Sequence, residues 1–235
     1  MRIKSKLKKF AVLVTPPIVM NLYSDSKTKP QKYSALNQTA LEDFSVKFEV
    51  LDFSYIDVQS PYELKWGWWS RVFEYELAIS KLKKLGVSED SVLHNTCWGY
   101  HGSHILFKNE LEGISKNVTN SDILASEVPN TCVLDLRSTP NKELLNKFDF
   151  VINISTIEEI PFSHIKVIEN LLSMVKRGGY LIATFDIPGL QLKEIEDLFK
   201  VKISETPEPV TGRNSPYPMY EFENLKVGYF VLRKV

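Results

Sequence analysis

Six residues between positions 101 and 186 have side chains suited to moving protons, and each lies at or just after a strand-like segment. They are His101, Asp122, Asp135, Glu158, Glu159 and Asp186. An imidazole titrates near neutrality, and a carboxylate held near other charges can be tuned toward it. His101 has the most suitable ordinary pKa for a general base; Glu158, Glu159 and Asp186 are the carboxylate candidates. Each also has a plain structural reading: His101 as a packed ring, Glu158 or Glu159 as a cap or solvated charge, Asp186 as an acceptor of backbone amides. Asp186 and Glu159 could pair on a metal, but no ligand spacing demands it, and no metal is expected. The two cysteines, Cys97 and Cys132, form no CxxC pair, so neither a zinc site nor a redox motif is indicated.

The elements that must position these residues alternate. Apolar Val72, Phe73, Leu77, Ile79, Leu82 and Leu85 form a helical stripe, with Gly86 as its stop. "SVLHN", "NVTNSDI", "TCVLDL", "FDFVINIS" and "YLIATFDIP" read as strands, and "KVGYFVLRKV" as a last one. "SHILFKNELEG", "FSHIKVIENLLSMVKRGG" and "LQLKEIEDLF" have helical period. Gly178 and Gly179 are read as the cap of the second of these, beside Lys176 and Arg177. Repeated β–α–β order predicts an α/β fold: a Rossmann-like, seven-stranded, mostly parallel sheet with helices on both faces, plus an N-terminal extension. Residues 1–60 are expected to be leader and extension, and residues 61–235 the domain, with a substrate-facing helix at 66–85. In such sheets ligands bind beyond the carboxyl ends of the strands, near the switch in strand order.

Two stretches, "FDFVINISTIEEI" and "LLSMVKRGGYLIATFDIPG", resemble the second half of class I S-adenosylmethionine-dependent methyltransferases. The likeness covers about residues 90–235, with Arg177 in place of the family's proline and Glu159 in place of its histidine. It implies S-adenosyl-L-methionine as cofactor. The first-strand loop departs from the family: His94 stands at the usual acidic position and Thr96 at the first glycine, while Gly99 and Gly102 remain, slightly displaced. Asn95 lies within the same segment. Asp122 matches the acidic residue that holds the ribose hydroxyls, and Asp135, followed by Leu136, matches the position facing the adenine amino group. Ile154 and Ser155 close the next strand and complete the expected cofactor shelf. Only 13 residues separate Asp122 from Asp135, so the usual intervening helix is cut short.

"RVFEYEL" is similar to an R-x-x-E-Y-P helix of methyltransferase-like proteins from surface-polysaccharide gene clusters. That likeness implies a saccharide or small-molecule acceptor bound by Trp69, Arg71, Glu74 and Tyr75; separately, Arg213 and Asn214 of the turn-rich "TGRNSPYP" either bind a phosphate or sugar or simply connect two strands. Trp68 and Phe73 can equally serve as packing residues. Two readings follow: O-methylation of a sugar or sugar-linked group, or a non-catalytic methyltransferase-like module that binds or scaffolds in glycan assembly. A nicotinamide enzyme is disfavoured, because no G-x-G-x-x-G run follows the first strand.

Lysine plus arginine and aspartate plus glutamate both number 29, a formal net charge of zero that argues against a nucleic-acid surface. The charge asymmetry is at the start, where "MRIKSKLKK" runs into "FAVLVTPPIVMNLY". Residues 1–23 either lie on an anionic membrane surface or dock on the domain. Pro16 and Pro17 would break a spanning helix. A cytoplasmic protein, with a peripheral contact at the inner membrane face on the first reading, is expected.

Overall fold

The computed structural model describes residues 46–56, 71–96, 102–124, 130–187, 190–203 and 226–235. Strand β1 spans Phe48–Tyr55, helix α1 Arg71–Lys84, β2 Val92–Thr96, α2 Gly102–Ile114, β3 Asn117–Asp122 and β4 Thr131–Val133. Then come β5 Phe148–Ile154, a short 3-10 turn at Ile157–Glu159, α3 His164–Met174, β6 Val175–Ile187, α4 Leu192–Phe199 and β7 Lys226–Lys234. The strands form one seven-stranded sheet in the order β1-β7-β6-β5-β2-β3-β4. Only β7 opposes the others, pairing antiparallel with both β6 and β1. The architecture is the α/β sheet expected from the alternating pattern.

Both faces are covered. Phe73, Leu77 and Leu82 of α1 and Phe107 and Leu111 of α2 pack with Phe150, Ile152 and Ile182 on one side. Ile168 and Leu171 of α3 and Ile195 and Phe199 of α4 pack with Val151, Leu181 and Phe230 on the other. β5 alternates between these two cores, so its side chains are apolar on both faces, as a central parallel strand requires. β1, inside the span assigned to the leader, is the edge strand beyond β7. Asp52 ties it inward, accepting from Lys81 of α1 and from the Tyr229 hydroxyl of β7.

One local expectation is corrected. Gly178 and Gly179 do not cap α3; the helix ends at Met174 and β6 begins at the next residue. The cap comes from the far end of the chain. Lys234 Nζ donates to the carbonyls of Leu172 at 3.0 Å and Val175 at 2.8 Å, and to Asn146 Oδ1 at 2.7 Å. The Asn146 and Lys147 amides donate to Ser173 and Met174 carbonyls. With the helix's terminal acceptors satisfied, a glycine cap is unnecessary. The glycines serve β6 instead. Gly178 has φ +81°, and a Cβ on Gly179 would stand 2.7 Å from the Asp149 carbonyl oxygen. The β5–β6 register slips just there, between Phe148 and Phe150.

Candidate functional site

The order of winding locates a crevice. From β2 the chain moves outward through β3 to β4, then returns to β5 on β2's other side and continues to β6. Connections therefore diverge between β2 and β5, and the carboxyl tips there form the opening in which such sheets take ligands. Thr96 and Asn153 sit opposite each other at those tips. They are stapled: Asn153 Nδ2 donates to Thr96 Oγ1 at 2.6 Å, and Thr96 Oγ1 donates to the Ile152 carbonyl at 3.1 Å.

On the β3 side, Asp122 ends its strand and is buried. Its Oδ1 accepts the Leu124 amide at 2.9 Å, which orients the carboxylate. The Leu134 amide donates to the Asp122 carbonyl, bringing the segment with Asp135 alongside. Asp135 is half-buried and held by the Arg137 guanidinium, 2.6 Å from Nη2 to Oδ2, which keeps its carboxyl below the usual range. Leu136 is buried and its carbonyl accepts Asn170 Nδ2 at 2.8 Å.

β2 itself carries buried polar side chains. Asn95 Nδ2 donates to Asn120 Oδ1 at 3.1 Å. The His94 ring lies under the sheet on the α3 side, 4.6 Å from the Phe148 ring, with Nε2 2.9 Å from Ser121 Oγ. Burial first, then the Lys147 ammonium, lowers its pKa to about 3. This histidine is neutral and faces the core rather than the tips.

The second half of the crevice is acidic. Ile154 is buried at the end of β5, and Ser155 follows with φ +38°, a conformation that costs energy for a residue with a Cβ. Ser155 Oγ and Thr184 Oγ1 both donate to Glu74 Oε1, the latter at 2.6 Å; Glu74 comes from α1 and is fully buried. On the 3-10 turn, Glu158 Oε1 accepts the Asp186 amide of β6 at 2.8 Å. Burial, then Asp186, then Glu74 push the Glu158 carboxyl well above the ordinary range. Its other oxygen, Oε2, is buried without a hydrogen-bond partner. Glu159 is exposed on the same turn.

The structure thus gathers Glu158, Asp186, Ser155 and Glu74 at one end and Asp122 and Asp135 at the other. Tyr75 turns into the core, stacked on Phe107 at 4.3 Å. Gly102 opens α2 and Arg71 opens α1. Trp69, Gly99, His101, Arg213, Asn214 and residues 1–23 lie outside the described residues. Sequence reasoning passed over Asn153 and Thr184. The signal was there: a single amide in "FVINIS" and a single hydroxyl in "LIATF", each a polar residue inside a buried strand.

Among the described residues no group of three His, Cys, Asp or Glu side chains converges as a metal site. Among them, too, no helix is long and apolar enough to cross a membrane. The residues at the tips fit an adenosine-bearing ligand. Asp122 offers an oriented carboxylate at the end of β3, α2 begins at Gly102 after β2 in the chain, and Asn95 Oδ1 and Asn153 Oδ1 are buried acceptors without partners.

No family model and no curated protein matches this chain. Solved structures of similar fold include the MccD protein, at 12% identity over 67% of this chain and 96% of that one, with a TM-score of 0.49. The [4+2]-cyclase SpnF aligns at 12% identity over 79% of this chain and 88% of its own, with a TM-score of 0.48. The N-methyltransferase NodS from Bradyrhizobium japonicum WM9, in complex with S-adenosyl-l-homocysteine, aligns at 11% over 68% and 87%, with a TM-score of 0.45. These likenesses are too distant to carry function.

Proposed function

We propose that the chain is an S-adenosylmethionine-dependent methyltransferase acting on a hydroxyl, on a sugar or sugar-linked group of a surface glycan. The observation that carries the reading is the division of one crevice into two halves. One has a buried, oriented carboxylate, Asp122, on the strand next to the switch point; the other has a carboxyl, Glu158, whose proton affinity is raised. Bound at the first half, S-adenosylmethionine supplies an electrophilic methyl on a sulfonium.

The rest is the work of this chain. Asp122 accepts hydrogen bonds from a ribose diol, and the amino end of α2 faces an anionic group. Glu158 receives the proton of the acceptor hydroxyl as its oxygen becomes a nucleophile. A base is most useful when its pKa approaches the working pH, and burial beside Asp186 moves Glu158 in that direction. His101 and Asp186 are the other proton-transfer candidates. Trp69, Arg71, Arg213 and Asn214 are the proposed acceptor contacts. Aromatic faces and fork-shaped donors suit a sugar's apolar face and its hydroxyls.

The test is a screen of activated sugars and glycan fragments with methyl-labelled cofactor, followed by Glu158→Gln. Turnover should fall at least a hundredfold, with affinity for S-adenosylhomocysteine unchanged. Full turnover in the variant removes Glu158 from the mechanism.

A further inference from the structure

We propose that Glu74 is a positioning residue of the acceptor side: an anionic pin from α1 that locks the tips of β5 and β6 and closes Glu158 between them. The inference rests on the reading of Glu158 as the base.

Glu74 is fully buried, and a buried carboxylate is an expensive way to join a helix to a sheet. An amide or an apolar contact would make the same join at lower cost, so the charge calls for its own explanation. Its bonds point to one. Ser155 Oγ donates to Glu74 Oε1, and Ser155 is the strained residue from which the chain turns toward Glu158. Thr184 Oγ1 donates to the same oxygen at 2.6 Å and accepts the Ser155 amide at 3.2 Å. Two residues on from Thr184, on the same side of β6, Asp186 donates its amide to Glu158 Oε1. Both segments that hold Glu158 are therefore tied to a single Glu74 oxygen.

Among the described residues, the charges that act on Glu158 come from two packed elements, Asp186 of β6 and Glu74 of α1, and both are acidic. Glu159, on its own turn, is exposed. Each neighbouring negative charge makes a further ionisation harder, so Glu74 raises the proton affinity of Glu158 and strengthens it as a base. The buried, unpartnered Oε2 of Glu158 is the atom left to meet an acceptor.

The experiment is a pH titration of the glutamate carboxyl carbons by NMR in the full-length, 13C-glutamate-labelled protein. Glu158→Gln assigns the Glu158 signal. In the parent, Glu158 should titrate well above the ordinary carboxylate range. In Glu74→Gln the amide oxygen still accepts from Ser155 and Thr184 but the charge is gone, so the midpoint should move down. An unchanged midpoint, or a parent midpoint in the ordinary range, overturns the proposal, because a merely structural pin would leave the titration alone. If Glu74→Gln does not fold, Glu74→Asp withdraws the charge by one methylene, and the same two outcomes decide. S-adenosylhomocysteine is titrated into parent and variant in parallel. Its affinity should agree within about threefold, since the bonds of Glu74 to Ser155 and Thr184 lie at the tips of β5 and β6, away from Asp122. Absence of binding to the parent would defeat the cofactor reading, while the NMR midpoints would still decide the role of Glu74.

Discussion

Acid should destabilise this fold through one identifiable ring. His94 is fully buried, its Nδ1 has no hydrogen-bond partner, and its pKa is lowered to about 3 by burial and by Lys147. In the unfolded chain the same ring titrates near the ordinary histidine value of about 6.5. Between those two values the unfolded state binds a proton that the folded state refuses, so stability falls as pH falls through that window. Each pH unit is worth about 1.4 kcal/mol per proton. By pH 4 the loss attributable to His94 is therefore about 3 kcal/mol, a large share of the usual stability of a single domain. The assay is urea unfolding between pH 7 and pH 4, for the parent and for His94→Gln, whose amide can replace the ring's bond to Ser121. Carboxylates titrate in both proteins, so the difference in slope isolates the histidine. The parent should lose about 3 kcal/mol more than the variant across that range. Parallel curves would refute the reasoning.

Other predictions concern the elements that frame the site. Lys234→Met should cost about 1–3 kcal/mol in urea unfolding, because it removes the ammonium that donates to the carbonyls of Leu172 and Val175 at the end of α3; a change below 0.3 kcal/mol would mean that water replaces the ammonium. Gly179→Ala should destabilise by about 1–3 kcal/mol, since its Cβ would meet the Asp149 carbonyl oxygen at 2.7 Å and Val175 Cγ1 at 2.9 Å. Gly113→Ala, on α2 with nothing within 4 Å of the new methyl, should instead stabilise by up to about 1 kcal/mol. Opposite signs at the two glycines, read as melting temperatures, check the local geometry; equal signs would contradict it.

What was legible in the sequence was what local pattern encodes. The runs around Val151 and Leu181 are apolar on both faces, and that marks central parallel strands. The stripe from Phe73 to Leu82 marks α1 as a helix lying on the sheet. The misread boundary at Gly178–Gly179 shows where local reasoning stops. Two glycines after a basic pair look like a helix cap, but the cap is Lys234, 55 or more residues downstream. The partner of β1 was equally hidden, because an edge strand of alternating residues can add to either side of a sheet. Within the site, the sequence marks Asp122, Glu158 and Asp186 as following strands; the structure has Asp122 as the last residue of β3, Glu158 on the turn after β5 and Asp186 within the end of β6. Glu74 was read as a substrate contact from a short motif. Its bonds to Ser155 and Thr184 join residues 81 and 110 positions apart, a pairing that only the packed structure displays.

The most direct test of the account is calorimetric titration of S-adenosylhomocysteine into the parent and into Asp122→Ala. Saturable one-site binding by the parent, weakened at least tenfold in a variant that keeps the parent's circular dichroism spectrum, is the predicted result. No heat at millimolar ligand, or equal affinity in the two proteins, would contradict it.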